Sequence, residues 1–312
     1  MSDPLVEAVD LEVRFGALRA VDGVSLQVWP DETLGLVGES GSGKSTLGRA
    51  LLGLARADSG VVRFEGRDLS RLDRAGRLRL RRACQMFFQD PVASLSPRMT
   101  FRALLEEPLR IHRLPLGEHW PRIEALLAAL GLPANLLGKR PHEVSGGQAR
   151  RLGIARALAL EPRFVAADEP TAGLDISAQG DLLNLLAELR RDFRLTYLLI
   201  SHNLDAVRRA TDRTAVMYLG RIVESGPTRR LFAAPAHPYT AALIAANPSI
   251  DPARRRAPVP LEGEIPSALR PPPGCRFHTR CPRAEARCRV EEPAARPLGE
   301  GLWTSCHFPL GA

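Results

Sequence analysis

Apolar residues at Leu5, Val9, Leu11, Val13 and Phe15 are interleaved with Asp10, Glu12 and Arg14. That period of two predicts a half-buried strand with those five side chains on one face. The run Thr33–Val37 is short and apolar and leads straight into a glycine-rich segment. Across residues 44–54 the apolar positions Leu47, Ala50, Leu51 and Leu54 fall at helical spacing,. Residues 164–167 and 197–200 predict two further buried strands, with an amphipathic helix over 177–191 between them,. Strands alternating with helices imply an α/β fold, a largely parallel sheet covered by helices. Residues 91–161 break this pattern. Helical spacing at 104–109, 123–130 and 147–160, with polar turns between, predicts an inserted helical subdomain,. Residues 214–219 and 221–225 predict a hairpin turning near Gly220,.

Beyond this pattern the composition changes. Ten prolines fall between Ala233 and Pro273, and four of the five cysteines lie in the last forty residues. The expected organisation is a main α/β domain over 1–232 (helical subdomain about 91–161), a Pro-rich linker over 233–262, and a small Cys-rich C-terminal extension over 263–312. No apolar stretch approaches the length of a membrane span,. The N-terminal residues lack the basic and apolar pattern of a signal peptide. The chain is therefore expected in the cytoplasm, with any membrane role peripheral.

The net charge is +8. Much of it is local: Arg71, Arg74, Arg77, Arg79, Arg81 and Arg82 face only Asp73. No aromatic residue interleaves with them to stack on bases. The cluster is read as a solvated helix face, and no nucleic-acid partner is expected. The basic residues are 41 Arg and only two Lys, Lys44 and Lys139. Lys44 falls where a compact ammonium suits the site and a planar guanidinium does not.

Gly38, Gly43, Lys44 and Ser45 satisfy G-x-x-x-x-G-K-[ST] after a strand and before a helix, the context that motif needs,. Such a loop turns backbone N–H groups around phosphate oxygens and adds a helix N-terminus. Gly38, Ser40, Gly41, Ser42, Gly43, Lys44, Ser45 and Thr46 are therefore the expected ATP-binding residues. Lys44 would reach the β- and γ-phosphates, and the Ser45 hydroxyl would reach Mg²⁺. Asp168 ends a buried strand and is expected at Mg²⁺. Glu169 follows it, placed to orient the attacking water.

Ser145, Gly146, Gly147 and Gln148 open the helix over 147–160, so Ser145 and the first amides can grip a phosphate from outside,. With that SGGQ between the phosphate loop and Asp168-Glu169, the chain resembles the ATP-binding subunits of ABC transporters, over residues 5–232. The resemblance implies a phosphate-loop NTPase core and an ATP held between two such domains, head to tail. It also implies roles for further residues. Phe15 is expected to stack on adenine. Gln89, in FFQDP, is expected to contact Mg²⁺ and the lytic water and to link the core to the helical subdomain. His202, in LLISHN, is expected at the γ-phosphate, and Asp175, in AGLD, at the dimer interface. The segments FFQDPVASLSPRMT, MYLGRIVESG, HPYTAALIAANP and PPPGCRFHTRCP resemble the peptide and nickel importer branch. SLSPRMT and VMYLGRIVE look like the second of its two ATPase subunits. The implied partners are a related ATPase subunit, two transmembrane permease subunits and an extracytoplasmic solute-binding protein, at the cytoplasmic face of the membrane. The cargo implied is a di- or oligopeptide, with nickel import as the alternative. A soluble, non-transport ATPase is the rival from another class.

Three segments depart from the family pattern. Ala149-Arg150-Arg151 follows SGGQ where an Arg or Gln and then Gln-Arg are usual, Ala172-Gly173 replaces Ser-Ala before Leu174-Asp175, and Asn203 replaces the aspartate after the histidine. Gly173 is expected to loosen its loop, and Arg150 to alter contacts to the partner.

Cys275, Cys281, Cys288 and Cys306 follow C-x5-C-x6-C-x17-C. Disulfides are unexpected in a reducing cytoplasm. The spacing lacks the two close pairs of a usual zinc site. Four thiolates suit a [4Fe–4S] cluster, which some members of the resembled branch carry in this tail. Zinc held with His278 or His307, and plain reduced cysteines, remain the alternatives. Cys84 reads as a core residue.

Overall fold

The computed structural model describes residues 3–87, 93–246 and 263–311. Gln89 lies outside the described residues. Strands β1 (Val6–Phe15), β2 (Leu18–Val28), β4 (Ser59–Phe64) and β5 (Arg67–Asp68) form an antiparallel sheet in the order β2-β1-β4-β5. The larger sheet is built from β3 (Thr33–Val37), β6 (Cys84–Phe87), β7 (Phe164–Asp168), β8 (Thr196–Ile200), β9 (Arg213–Tyr218), β10 (Arg221–Pro227), β11 (Arg296–Pro297) and β12 (Trp303–Thr304). Its order is β11-β12-β10-β9-β3-β8-β7-β6, and the five strands from β9 to β6 run parallel.

The parallel strands are buried on both faces, as such sheets must be. Leu34, Leu36, Phe164, Ala166, Leu198 and Ile200 pack with α1 (Lys44–Leu51) and the antiparallel sheet. Val165, Ala167, Tyr197 and Leu199 face a second core with α6 (Ile176–Phe193) and α7 (Leu204–Ala210). That second core continues into the inserted helices α3 (Phe101–Ile111), α4 (Leu116–Ala129) and α5 (Gly146–Leu158), through Leu104, Leu109, Ile123, Leu126 and Leu152. Among the described residues no helix is long and apolar enough to cross a membrane.

Strand β1 departs from simple alternation. Asp10 takes φ 45°, and the pairing with β2 shifts register between Ala8 and Leu11. This bulge reverses which side chains point inward. Val6, Ala8, Leu11 and Val13 are buried, whereas Phe15 is 58% exposed. The single-face expectation for Val9 and Phe15 is corrected accordingly.

Helix α2 (Arg74–Ala83) carries the arginine cluster and is capped by Asp73, whose carboxylate accepts from Gly76 N–H at 2.6 Å. Arg74, Arg77 and Arg79 are exposed. Arg81 donates to the carbonyls of Leu52 (3.0 Å) and Gly53 (2.9 Å), and Arg82 to that of Leu160 (3.4 Å). Two of the six arginines therefore terminate helices, where guanidinium donors satisfy orphan carbonyls.

After β10 come α8 (Thr228–Ala233), which leads into the Pro-rich stretch, and α9 (Pro238–Ala245), which lies inside it. His237 caps α9, and Pro238, Tyr239 and Thr240 are buried. Past residue 262, α10 (Ala286–Val290) precedes the two strands that add to the core sheet, where Glu224 and Ser225 pair with Thr304 and Trp303.

Candidate functional site

The carboxyl ends of β3, β7 and β8 lie side by side and deliver three loops to one place. In open α/β sheets that edge is where ligands sit. Gly38 leaves β3, the loop climbs through Ser40, Gly41 and Ser42, and Gly43 starts α1 with φ 103°. A Cβ on Gly43 would fall 2.0 Å from the Ala20 carbonyl oxygen, and one on Gly38 2.1 Å from that of Met217. Both glycines are demanded by close backbone approach as well as by conformation. The cradle is thus pressed against β2 and β9.

Lys44 is buried, and its Nζ donates to the carbonyls of Gly38 and Glu39, both at 2.8 Å. Burial pushes its pKa down, opposed by the carboxylates of Glu169, Asp168 and Glu39. Ser45 Oγ donates to Asp168 Oδ1 at 2.9 Å. Asp168 is itself buried, and desolvation raises its pKa despite that bond. A hydroxyl and a carboxylate side by side make a hard-oxygen donor pair of the kind Mg²⁺ takes. Thr46 continues the first turn of α1.

Glu169 takes φ 49°, a strained conformation for a side-chain-bearing residue,. Its amide donates to Ile200 O at 2.9 Å, fixing it to the end of β8. Its Oε1 accepts from His202 N–H at 3.0 Å and lies 2.8 Å from His202 Nδ1. A carboxylate can only accept, so Nδ1 carries the hydrogen of this bond and Nε2 is the free ring nitrogen. The structure therefore gathers three local pairings at this sheet edge: Lys44 with the Gly38 and Glu39 carbonyls, Ser45 with Asp168, and Glu169 with His202, with the Glu169 and Asp168 charges acting on the Lys44 ammonium.

Ser145 caps α5: Gln148 N–H donates to Ser145 Oγ (3.2 Å) and Ser145 N–H to Gln148 Oε1 (3.1 Å), a capping box,. Ser145, Gly146 and Gly147 are exposed, and beyond its chain neighbours and the backbone of its own helix no protein atom lies within 4 Å of where a Cβ on either glycine would stand. Asp175 is exposed and caps α6, accepting from Ala178 N–H at 2.9 Å, and Ile176 beside it is 77% exposed. Phe15 stands exposed at the β1–β2 turn, a free aromatic face.

Two departures from the family pattern have local structural causes. Asn203 accepts from the amides of Asp205 and Ala206, both at 3.1 Å, and also donates from Nδ2 to Gln179 Oε1 at 2.9 Å. An aspartate has no hydrogen for that last bond. Arg150 donates to the carbonyls of Pro170 (2.7 Å) and Ala172 (3.2 Å) within its own chain, so it ties α5 to the loop after Glu169. Gly173 sits in that loop at φ 72°.

Sequence reasoning missed Glu39. Its carboxylate, amide and carbonyl are each bound, the first two by Arg280 and Tyr239. No spacing signal links residues 241 positions apart.

Cys275, Cys281, Cys288 and Cys306 line one small cavity with His237, His278 and His307. Burial pushes the Cys275 thiol up to about 11, with the other three cysteines adding to the shift. Among the described residues no three His, Cys, Asp or Glu side chains are drawn together as a metal-binding group. The expected metal centre is thus not drawn together among the described residues; Cys288 is buried, and Cys275, Cys281 and Cys306 are half-buried. The donor set itself, four thiols on one cavity, matches what an iron–sulfur cluster needs. A further cavity of about 270 Å³ lies between core and helical subdomain, lined by residues that include Arg81, Phe87, Pro108, Ile111 and Ile154.

The sequence profile described as ABC transporter matches residues 21–172, and that described as Oligopeptide/dipeptide transporter, C-terminal region, matches residues 223–288. The chain is 44% identical to the oligopeptide transport ATP-binding protein AppF of Bacillus subtilis, over 95% of this chain and 91% of that one. It is 44% identical to the oligopeptide transport ATP-binding protein OppF of Salmonella typhimurium, over 95% and 93%. Among solved structures, cbiO1 from Clostridium perfringens, part of the ABC transporter complex cbiONQ, superposes with TM-score 0.68 at 28% identity, over 74% of this chain and 92% of that one. The dimeric post-hydrolysis state of the ATP-binding cassette MJ0796 bound to ADP and Pi gives 0.63 at 27% identity, over 72% and 99%. Motif, fold and likeness agree: the chain belongs to the ABC transporter ATP-binding proteins, in their oligopeptide/dipeptide transporter branch.

Proposed function

We propose that this chain hydrolyses ATP to power import of di- or oligopeptides across the cytoplasmic membrane, working as a peripheral subunit on its inner face. The observation that carries the reading is the split site. Lys44, the Ser45–Asp168 pair and the Glu169–His202 pair gather at the carboxyl ends of β3, β7 and β8, while the Ser145-Gly146-Gly147 end of α5 is open to solvent. In this reading Gly38 to Thr46 cradle the phosphates, and Phe15 offers its exposed ring to adenine. Glu169 orients a water whose oxygen attacks the γ-phosphorus as the bond to the β-phosphate oxygen breaks, giving ADP and phosphate. His202 Nε2 faces the γ-phosphate. Ser45, Asp168 and Gln89 would hold Mg²⁺, which supplies charge neutralisation on the phosphates. The open end of α5 would grip the γ-phosphate bound by a partner ATPase, with Asp175 and Ile176 at the seam.

The cavity beside Ile111 is proposed as the socket for a permease subunit, and Ile111, 60% exposed, supports it. The peptide cargo rests on the names of the relatives, and the binding-protein partner on the resemblance to the importer branch. We also assign the four clustered cysteines to a [4Fe–4S] cluster, with zinc as the alternative; such a centre would fold a segment too small for its own core.

Reconstitution with its two permease subunits, partner ATPase and binding protein tests this reading. Peptide is expected to stimulate ATP turnover, and Glu169→Gln to abolish it while ATP stays bound. Normal turnover by that variant would contradict the assignment. Anaerobic addition of iron and sulfide should give the broad visible absorption of a cluster, lost in Cys281→Ser. A colourless protein that binds zinc instead would favour the alternative.

A further inference from the structure

We propose that Arg280, on the cysteine-bearing C-terminal segment, is a positioning residue for the phosphate loop, acting through Glu39. The proposal rests on the reading of residues 38–46 as the ATP cradle. Glu39 is the residue after Gly38, and it is held at three points. Its carboxylate accepts from both terminal nitrogens of Arg280, at 2.8 and 3.0 Å. Its amide donates to the Tyr239 hydroxyl at 2.9 Å. Its carbonyl accepts from Lys44 Nζ at 2.8 Å. Two of these three restraints come from beyond residue 232, outside the nucleotide-binding core.

The strut is rigid. The Arg280 side chain is only 5% exposed and that of Glu39 20%. A bidentate guanidinium–carboxylate pair fixes direction as well as distance. Arg280 also lies 3.5 Å from the Tyr218 hydroxyl. Tyr218, Tyr239 and Phe277 form an aromatic cluster behind it, with ring centroids 4.6 to 5.4 Å apart. Its base is a turn inside the cysteine segment, where Arg280 N–H donates to Phe277 O at 3.0 Å and Cys281 follows directly.

The consequence for binding follows from preorganisation. A phosphate cradle works when its amides already point inward before ligand arrives. Glu39 freed on its carboxylate side leaves one loop residue to be ordered by ATP itself. Ordering one residue weakens binding by about five- to thirtyfold. Chemistry at Glu169 is untouched, so the effect belongs to affinity more than to turnover.

The test uses the full chain, with ATP affinity read by titration of a fluorescent ATP analogue, alongside KM, kcat and Tm. Arg280→Gln and Glu39→Gln are each expected to weaken ATP about tenfold, with kcat changed less than about threefold. Their combination should be no worse than either alone, the non-additivity of one shared contact. Arg280→Lys keeps the charge but not the fork and should recover only part of the affinity. Tyr239→Phe, which removes one hydroxyl and keeps the ring, covers the case in which Arg280→Gln fails to fold; it should weaken ATP a few-fold. Affinity within about twofold of the parent in both Glu39→Gln and Tyr239→Phe overturns the proposal. Lys44→Ala separates the two levels. If it binds ATP like the parent, the cradle reading is wrong; if it alone loses ATP, the cradle stands and the strut falls.

Discussion

Replacing Asn203 with aspartate, the residue the family pattern favours, should weaken this protein. Asn203 Nδ2 donates to Gln179 Oε1 at 2.9 Å, and Gln179 Nε2 donates onward to Leu174 O at 2.9 Å. The two amides thus tie the turn after His202 to the loop before Asp175. In Asn203→Asp a carboxylate oxygen meets the Gln179 carbonyl, acceptor against acceptor. Turning the Gln179 amide over repairs that contact but sets Oε1 against Leu174 O, so one bond is lost either way. A neutral hydrogen bond contributes about 1 kcal/mol, and a part-buried acceptor left unpaired costs about 1–3 kcal/mol. Asp at the start of α7 keeps both cap bonds and gains about 0.3–1 kcal/mol from its charge. The net loss is about 1–2 kcal/mol, a fall of about 1.5–3 °C in Tm for a protein of this size. Calorimetry on Asn203→Asp reads it directly. In a Gln179→Ala background the same substitution should cost nothing further. An unchanged or raised Tm for Asn203→Asp alone would show that the Asn203–Gln179 bond adds nothing to stability.

Other expectations can be checked alongside. Gly43→Ala should abolish ATP binding, since its Cβ would lie 2.0 Å from Ala20 O at a φ of 103°; retained affinity by titration would show that the loop can yield. Ser145→Ala should lower Tm only by the loss of an exposed cap, about 1 kcal/mol, yet cut hydrolysis at least tenfold in the paired ATPase. Full turnover in that variant would leave Ser145 as a cap alone. Arg81→Gln should cost about 1–3 kcal/mol of stability by stripping the Leu52 and Gly53 carbonyls,, with ATP turnover unaffected at a temperature where the variant is folded. An unaltered Tm would return Arg81 to the solvated face it shares with Arg74, Arg77 and Arg79.

The parallel core was legible because its strands are short, wholly apolar and joined by helices of clear period. Thr33–Val37 was delimited to the residue, and the strands ending at Asp168 and Ile200 to within one at each end. Strand β1 misled because a bulge at Asp10 inverts the inward face, and a pattern of period two carries no mark of a bulge that uses aspartate in place of glycine,. Strands β2, β4 and β5 went unread: their apolar residues are diluted by arginine, aspartate and serine on the solvent side. At the site, residues with a motif spacing were found, since phosphate chemistry ties their identity to position. Glu39, Tyr239 and Arg280 were not, because only the fold closes the 241-residue gap between loop and tail. The roles of Arg150 and Asn203 became readable only when their partners Pro170, Ala172 and Gln179 were in view.

The central claim is that each triphosphate is shared between two ATPase chains. The most direct measurement is the structure of the assembled Glu169→Gln transporter loaded with ATP and Mg²⁺. Each nucleotide is expected between the Lys44 loop of one chain and the serine-glycine helix start of the other, with Phe15 on the adenine. A pocket closed around ATP by one chain alone, with Ser145 still facing solvent, would contradict that claim.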